Sequence, residues 1–164
     1  KALIAARICP SVNPRWLIPN CEALIDLIKT RKISYIQSPI QSCSNNILER
    51  MNRGYKAEDY ISTIKKIRDN SSSVFLKSQI ITGFPGESEE DFIASLKLFK
   101  SDLLNYIDVF EYTLRPNTVA STFPDRINPE IIMKRRKKLI LKSLFQLAPK
   151  QLFKQRISSF LKNN

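Results

Sequence analysis

Three short clusters of hydrogen-bonding side chains stand out: Gln41-Ser42-Cys43-Ser44, Thr82-Gly83 with Glu87, and Thr113 to Thr118 with Arg115. Amides, hydroxyls, a carboxylate and a guanidinium are groups that hold and orient a polar ligand. None is a strong base at neutral pH. The chain contains no histidine, which removes a Ser-His-Asp triad, a His-containing zinc site and a His general base. Asp108 and Glu111 are the nearest thing to an acid–base pair. Three residues apart on an expected strand, they point to opposite faces and are set aside. Cys9, Cys21 and Cys43 are separated by 12 and 22 positions. That spacing fits no common zinc or iron–sulfur run, and three thiols cannot close an even set of disulfides. They are read as structural thiols, and no metal ligand is assigned. What remains is ligand binding, or chemistry carried by a cofactor, with the catalytic residues unassigned.

Each cluster follows an apolar, β-branched run, so strands must position it. The runs are Ile33 to Ser38, Val74 to Ile81 and Tyr106 to Tyr112, with an earlier one at Leu3 to Cys9 closed by Pro10. Helical spacing of apolar residues marks Trp16 to Lys29, interrupted near Pro19, then Asn45 to Met51, Glu58 to Arg68 and Ser88 to Lys100. A long loop punctuated by Pro116, Pro124 and Pro129 leads to a further helix from about Pro129, broken or kinked at Pro149. Alternating strands and helices predict right-handed βαβ units and a parallel sheet. Four units are too few for a closed barrel, so the sheet is open or the barrel incomplete. In such folds ligands are met where strands end and helices begin. Each cluster also has a purely local use, since Ser42 or Ser44 equally serves as an N-cap for Asn45 to Met51.

Ile80 to Phe92 compresses this logic into one segment. A buried strand stops, turns on Gly83 and Gly86, and restarts as a helix capped by Ser88 with Asp91 in the capping-box position. Pro85 biases Phe84 toward an extended conformation, and Gly86 offers the positive φ that a tight turn needs. Glu87 to Asp91 puts four carboxylates around the first turn, where the helix dipole favours them.

Charge divides the chain. It carries 27 basic and 15 acidic residues, a net +12. Eleven of the basic residues but only one acidic residue, Glu130, fall at or after Arg126. The densest run is Lys134-Arg135-Arg136-Lys137-Lys138, followed by Lys142, Lys150, Lys154, Arg156 and Lys162. Such an arm is drawn to nucleic acid by counterion release; the alternative is a solvated helix face. The expected organisation is therefore an α/β unit over 1–125 and a basic helical segment over 126–164. At 43% hydrophobic and 26% charged residues, the composition is that of a soluble globular domain. No apolar run approaches a membrane span. The chain begins with Lys1 and shows no signal-peptide pattern, which predicts a cytoplasmic polypeptide cut or processed from something longer.

With these residues in view, a family resemblance appears. Gln41 to Tyr55 (QSCSNNILERMNRGY) resembles the "QSGSxxxLxxMNRxY" segment of radical S-adenosylmethionine methylthiotransferases. Ile80 to Phe92 resembles their "IIVGFPGExxxDF" segment. Tyr112, with Arg115-Pro116-Asn117-Thr118 and Ala120, resembles "YSxRPGTxA". The three occur in the family's order and approximate spacing, so the resemblance spans nearly the whole chain. Gln41-Ser42 favours the tRNA branch over the ribosomal-protein branch, which tends toward "QHxS". Departures are Cys43 in place of a glycine, Ser78-Gln79 in place of Thr-Asp, and Asn117 in place of the glycine of "RPGT". Asparagine accepts positive φ more readily than most residues.

The resemblance implies a partial (β/α)6 radical SAM barrel, of which this chain supplies about four parallel βα units before the basic helical arm. It implies a transferase that inserts a methylthio group at C2 of an N6-modified adenosine in tRNA, using S-adenosylmethionine and a [4Fe-4S] cluster. The family's "CxxxCxxC" cluster loop has no counterpart here, so the ligands and an N-terminal region are expected elsewhere in the same protein. Gln41, Ser42, Ser44, Ser78, Gly83, Glu87 and Arg115 map residue by residue and are the expected lining of a cofactor or substrate pocket. Lys134, Arg135, Arg136, Lys137 and Lys138 are the expected RNA contacts. Two alternatives stay open: a ribosomal-protein side chain as substrate, and a non-catalytic barrel remnant that binds RNA or a protein partner.

Overall fold

The computed structural model describes the backbone of residues 7–9 and all of residues 11–144. Four strands, β1 (Arg7–Cys9), β2 (Ile33–Gln37), β3 (Phe75–Thr82) and β4 (Tyr106–Glu111), form one sheet in the order β1-β2-β3-β4. Every pairing is parallel. Consecutive order without reversal is the winding of a barrel wall, not of a doubly wound sheet, whose strand order switches direction. The expected strand and helix alternation is therefore present as a segment of an α/β barrel.

Between the strands run α1 (Pro14–Leu17) and α2 (Cys21–Lys29), then α3 (Asn45–Arg50) and α4 (Ala57–Asn70), then α5 (Glu89–Leu98). The break expected near Pro19 separates α1 from α2. After β4 the chain makes a 3₁₀ turn (Val119–Thr122) and enters α6, described over 129–144. Expectations for Pro149 and the basic residues beyond it, and for the start of the first strand before Arg7, concern positions outside the described residues.

The sheet has two unlike faces. Leu76, Ser78, Ile80 and Thr82 alternate along β3 into the buried side, as a period of two requires. They meet one core with Ile36 of β2, Leu24, Ile25 and Ile28 of α2, Tyr60, Ile64 and Ile67 of α4, Phe92 of α5 and Leu139 of α6. The opposite face keeps Tyr35, Lys77, Gln79, Tyr106 and Asp108 half-buried. Its polar groups pair with one another: Lys77 Nζ lies 2.8 Å from Asp108 Oδ2, and the Tyr35 and Phe75 rings stack at 5.7 Å.

α6 is seated on the barrel rather than projecting from it. Leu139 is fully buried and Ser143 Oγ donates to the Ile107 carbonyl at 2.8 Å. Ile132 presses on Gly83, where an added Cβ would come within 2.7 Å of it. Gly83 also holds φ +84°, so both space and backbone demand glycine.

One irregularity sets the register of the segment after β2. The chain leaves the ladder after Ser38, whose N–H reaches the Lys77 carbonyl, and rejoins it at Gln41, whose N–H reaches the Gln79 carbonyl. Pro39 has no N–H to satisfy. The remaining backbone groups of the excursion are paired by side chains, while the buried Ser38 hydroxyl has no partner among the described residues. Ser78 Oγ accepts from Ile40 N (3.2 Å) and donates to the Ser38 carbonyl (2.8 Å), which the Tyr60 hydroxyl also reaches at 2.7 Å. The Tyr55 hydroxyl donates to the Ile40 carbonyl at 2.9 Å. Burial pushes the Tyr60 phenol up and the Tyr55 phenol up to about 12, so both remain donors. Replacing Ser78 by alanine strands the buried Ile40 N–H, and the expected loss is about 1–3 kcal/mol. Urea unfolding of the Ser78→Ala chain measures it; a midpoint equal to the parent's refutes the staple.

Candidate functional site

A cleft of about 690 Å³ opens where β3 and β4 end. The first motif lends it Gln41, Arg50, Met51, Asn52 and Arg53; the second lends Ile81 and Phe84; the third lends Tyr112, Arg115, Thr118, Val119 and Ala120. Gln79, Phe110, Glu111 and Thr113 complete the wall. Residues separated by almost eighty positions thus meet in one space. Three arginines against the single carboxylate Glu111 make its lining net positive.

Local backbone explains why these side chains arrive. Gln41 takes φ +71° on rejoining the sheet, an uncommon state for a residue with a Cβ. The two ladder bonds on either side hold it there: its N–H donates to Gln79 O, and its carbonyl accepts from Ile81 N. Asn52, at φ +52°, ends the α3 turn and delivers Arg53, whose N–H caps back onto the Leu48 carbonyl. Asn117 takes φ +63°, as its place in the third motif predicts. Phe84 packs edge-on against Tyr112 (5.1 Å) and Phe123 (6.1 Å), joining the second motif to the third.

Two latches hold the loops in register. Ser44 caps α3 by accepting from Ile47 N, and its hydroxyl donates to Asp91 Oδ1 at 2.5 Å. Asp91 closes the predicted capping box of α5, with Asp91 N on Ser88 Oγ (3.1 Å) and Ser88 N on Asp91 Oδ2 (2.9 Å). Burial works to raise the Asp91 carboxyl, but the hydroxyl and N–H donors of Ser44 and Ser88 outweigh it and hold it below its ordinary value. The second latch is Arg50, whose Nη2 meets both oxygens of Asp125 at 2.8 and 2.9 Å while its guanidinium covers the Phe123 ring at 4.6 Å. Gly86 N donates to the Asp125 carbonyl at 2.9 Å. A Cβ at Gly86, which has φ +82°, would strike Asp125 Oδ2 at 2.5 Å.

Of the seven pocket residues expected from the sequence, Gln41 and Arg115 line the cleft. The other five build its frame. Ser42 Oγ is fully buried and accepts from Ser44 N; Ser44 caps; Ser78 staples the excursion; Gly83 turns beneath Ile132. Glu87 lies inside the protein, accepting from Gly83 N (2.8 Å), Thr82 Oγ1 (3.1 Å) and Arg135 Nη1 (2.9 Å). Burial pushes its carboxyl up against the pull of those donors. Arg135 itself is buried, reaches Glu89 Oε2 with its other nitrogen, and packs over Phe92. It therefore leaves the expected RNA-contact set with four exposed members: Lys134, Arg136, Lys137 and Lys138.

Gln79 rather than Ser78 reaches the cleft, because adjacent strand residues face opposite sides. The alternation of β3 carried that signal. Asp108 is engaged by Lys77 below the cleft, while Glu111 sits at its rim. Burial raises the Cys21 thiol and pushes Cys43 up to about 12. Cys43 packs against the core and does not line the cleft.

The family model of the radical SAM superfamily matches residues 3–99. The chain belongs to the radical SAM superfamily. Its curated relatives include tRNA-2-methylthio-N(6)-dimethylallyladenosine synthases. That of Thermoanaerobacter sp. (strain X514) is 37% identical over 118 residues, 72% of this chain and 25% of the relative. That of Dichelobacter nodosus is 40% identical over 108 residues, 65% of this chain and 24% of the relative. This radical SAM chain thus spans about a quarter of the length of the curated relatives it matches. Among solved structures, coproporphyrinogen III oxidase from Escherichia coli superposes with TM-score 0.62 over 84% of this chain and 31% of its own, at 17% identity. Methylornithine synthase gives 0.56 over 76% of this chain and 35% of its own, at 14% identity. At such identities the likeness is one of fold.

Two outcomes test how this radical SAM frame is held. Arg135→Met leaves the Glu87 carboxylate buried without its cation, and the expected destabilisation is about 3–5 kcal/mol. Lys134→Gln is expected to leave the thermal midpoint unchanged; equal effects of the two substitutions sink the buried-pair assignment. Asp91 titrates lower when folded than when unfolded. Its contribution is therefore present above the unfolded value, about 3.9, and is lost as pH falls through the folded one. Asp91→Asn is expected to flatten the acid limb of a stability–pH profile measured from pH 7 down to 2, and an unaltered limb contradicts the latch.

Proposed function

We propose that this chain forms the substrate-facing cleft of a tRNA methylthiotransferase, the whole protein placing a methylthio group at C2 of an N6-modified adenosine. One observation carries the reading: three motifs far apart in sequence supply most of one cleft at the strand ends. The named activity of the curated relatives supports it. Within this reading residues 1–125 supply barrel wall and cleft, and residues 126–164 are a basic segment whose described helix, α6, is seated on the barrel. A tRNA substrate goes with a cytoplasmic protein, and no helix among the described residues is long and apolar enough to cross a membrane.

The cleft suits S-adenosylmethionine in its donors. Its lining includes Tyr112, whose hydroxyl has no hydrogen-bond partner among the described residues, and an unmet polar group at a site calls for a polar ligand. Gln41 and Arg115 would hold the cofactor's polar groups, with Phe110 as an apolar floor. When bound and reduced by a [4Fe-4S] cluster, the cofactor supplies the radical chemistry that activates an unreactive C–H bond. The cluster does not fit the residues described. Among them no group of three His, Cys, Asp or Glu side chains is placed to hold a metal, and the Cys21 and Cys43 thiols are held protonated. The contribution of this chain is to bind, orient and exclude water.

The exposed cations of α6 give the substrate a track. Lys134, Arg136, Lys137 and Lys138 attract a polyanion through counterion release. A gel-shift titration of the chain with an anticodon stem-loop RNA at several salt concentrations tests this. Neutralising the four residues with glutamine is expected to weaken binding and to flatten the log–log salt slope by roughly 0.7–0.9 per lost phosphate contact. Unchanged affinity and slope would refute the RNA track.

A further inference from the structure

Two of the arginines that line the cleft are Arg50 and Arg53, and the Nε of each is covered by protein and has no hydrogen-bond partner among the described residues. Both come from the C-terminal end of α3 and the turn after it. A guanidinium in a cleft lining with donors left unpaired favours an acceptor that enters, because an unmet donor on a charged group is costly once water is displaced. Arg50 spends Nη2 on Asp125, which fixes its plane, and its Nε lies against Gly86, 3.1 Å from where a Cβ there would sit. Arg53 makes no side-chain hydrogen bond or ion pair among the described residues. Its backbone is set by the Leu48 carbonyl, so the side chain starts from an ordered turn. Glu111, the one carboxylate of the lining, belongs to the end of β4.

The rest of the cleft says what the acceptor is attached to. Phe110 is 48% exposed although it lies within β4, and it offers an open aromatic face. Tyr112 and the buried Phe84, packed edge-on against it, also belong to the lining. A volume of about 690 Å³ is within the range of small-molecule sites and far larger than a lone anion requires. Paired arginine donors beside aromatic faces suit a nucleotide: a base that stacks and a phosphate that accepts charge-assisted bonds.

We propose that Arg50 and Arg53 form a phosphate grip for a nucleotide of the substrate RNA, Arg50 as the fixed half and Arg53 as the half that closes on the ligand. This inference rests on the cleft's being the tRNA-facing site. It assigns the α3 wall to the RNA backbone and leaves Gln41 and Arg115, on other loops, to the cofactor.

The test is calorimetric titration of the chain with adenosine 5′-monophosphate, with adenosine and with S-adenosylmethionine. The phosphate is expected to strengthen binding over the bare nucleoside by roughly ten- to a hundredfold. Arg53→Gln is expected to remove that advantage while adenosine binds as before. Arg53→Lys keeps the charge but not the fork, and is expected to recover only part of it. Equal affinity for nucleotide and nucleoside overturns the grip and leaves the nucleoside cleft intact, as does an advantage indifferent to Arg53. An Arg53 effect confined to S-adenosylmethionine assigns the arginines to a carboxylate and also overturns it. Binding of neither nucleoside nor nucleotide removes the nucleotide cleft itself, and the grip with it. The wild-type comparison decides even if a variant fails to fold.

Discussion

Between Gln37 and Gln41 the chain must step out of a parallel ladder and back without abandoning a buried backbone N–H or carbonyl. That constraint organises the region. Pro39 removes one donor from the problem, and two tyrosines and a serine from neighbouring elements answer the rest. In return the excursion shifts the outgoing strand so that Gln41 pairs across to β3 beside Ile80. Had β2 continued regularly, the amide would lie elsewhere along the ladder. The strained φ of Gln41 is therefore sustained by its own two bonds to β3 and by the side-chain bonds that hold the residues before it, the usual condition for strain at a binding site.

Much of the fold was legible because its signals are local. Apolar, β-branched runs marked the strands, Pro19 split the first helical stretch, and Ser88 with Asp91 announced the start of α5. The positive φ of Asn117 and Gly86 followed from residue type and motif. The site was legible only as a neighbourhood. Motif matching named seven residues, but it does not separate those that touch a ligand from those that hold the ones that do. Ser78 and Gln79 are adjacent and serve opposite faces. Ser44, Ser42 and Glu87 are polar because loops must be fastened, and a buried fastening has to satisfy every donor.

Charge was misread in one place for a related reason. Within Lys134 to Lys138 five cations look alike, yet helical geometry turns one of them inward. Arg135 meets Glu87, and through it the turn at Gly83 and Thr82 is tied to the last described helix. A count of basic residues sees net charge. Only the fold distinguishes a cation spent inside from one left to meet a partner.

The convergence that builds the cleft has a thermodynamic side. Its walls come from βα units separated by dozens of residues, so none of the pocket persists when any one unit detaches from the sheet. Occupancy is then linked to the integrity of the whole described barrel segment: a ligand that binds only the assembled state adds its binding free energy to the stability of every strand at once. The cleft is in this sense a keystone, and filling it tightens strands that the ligand never touches.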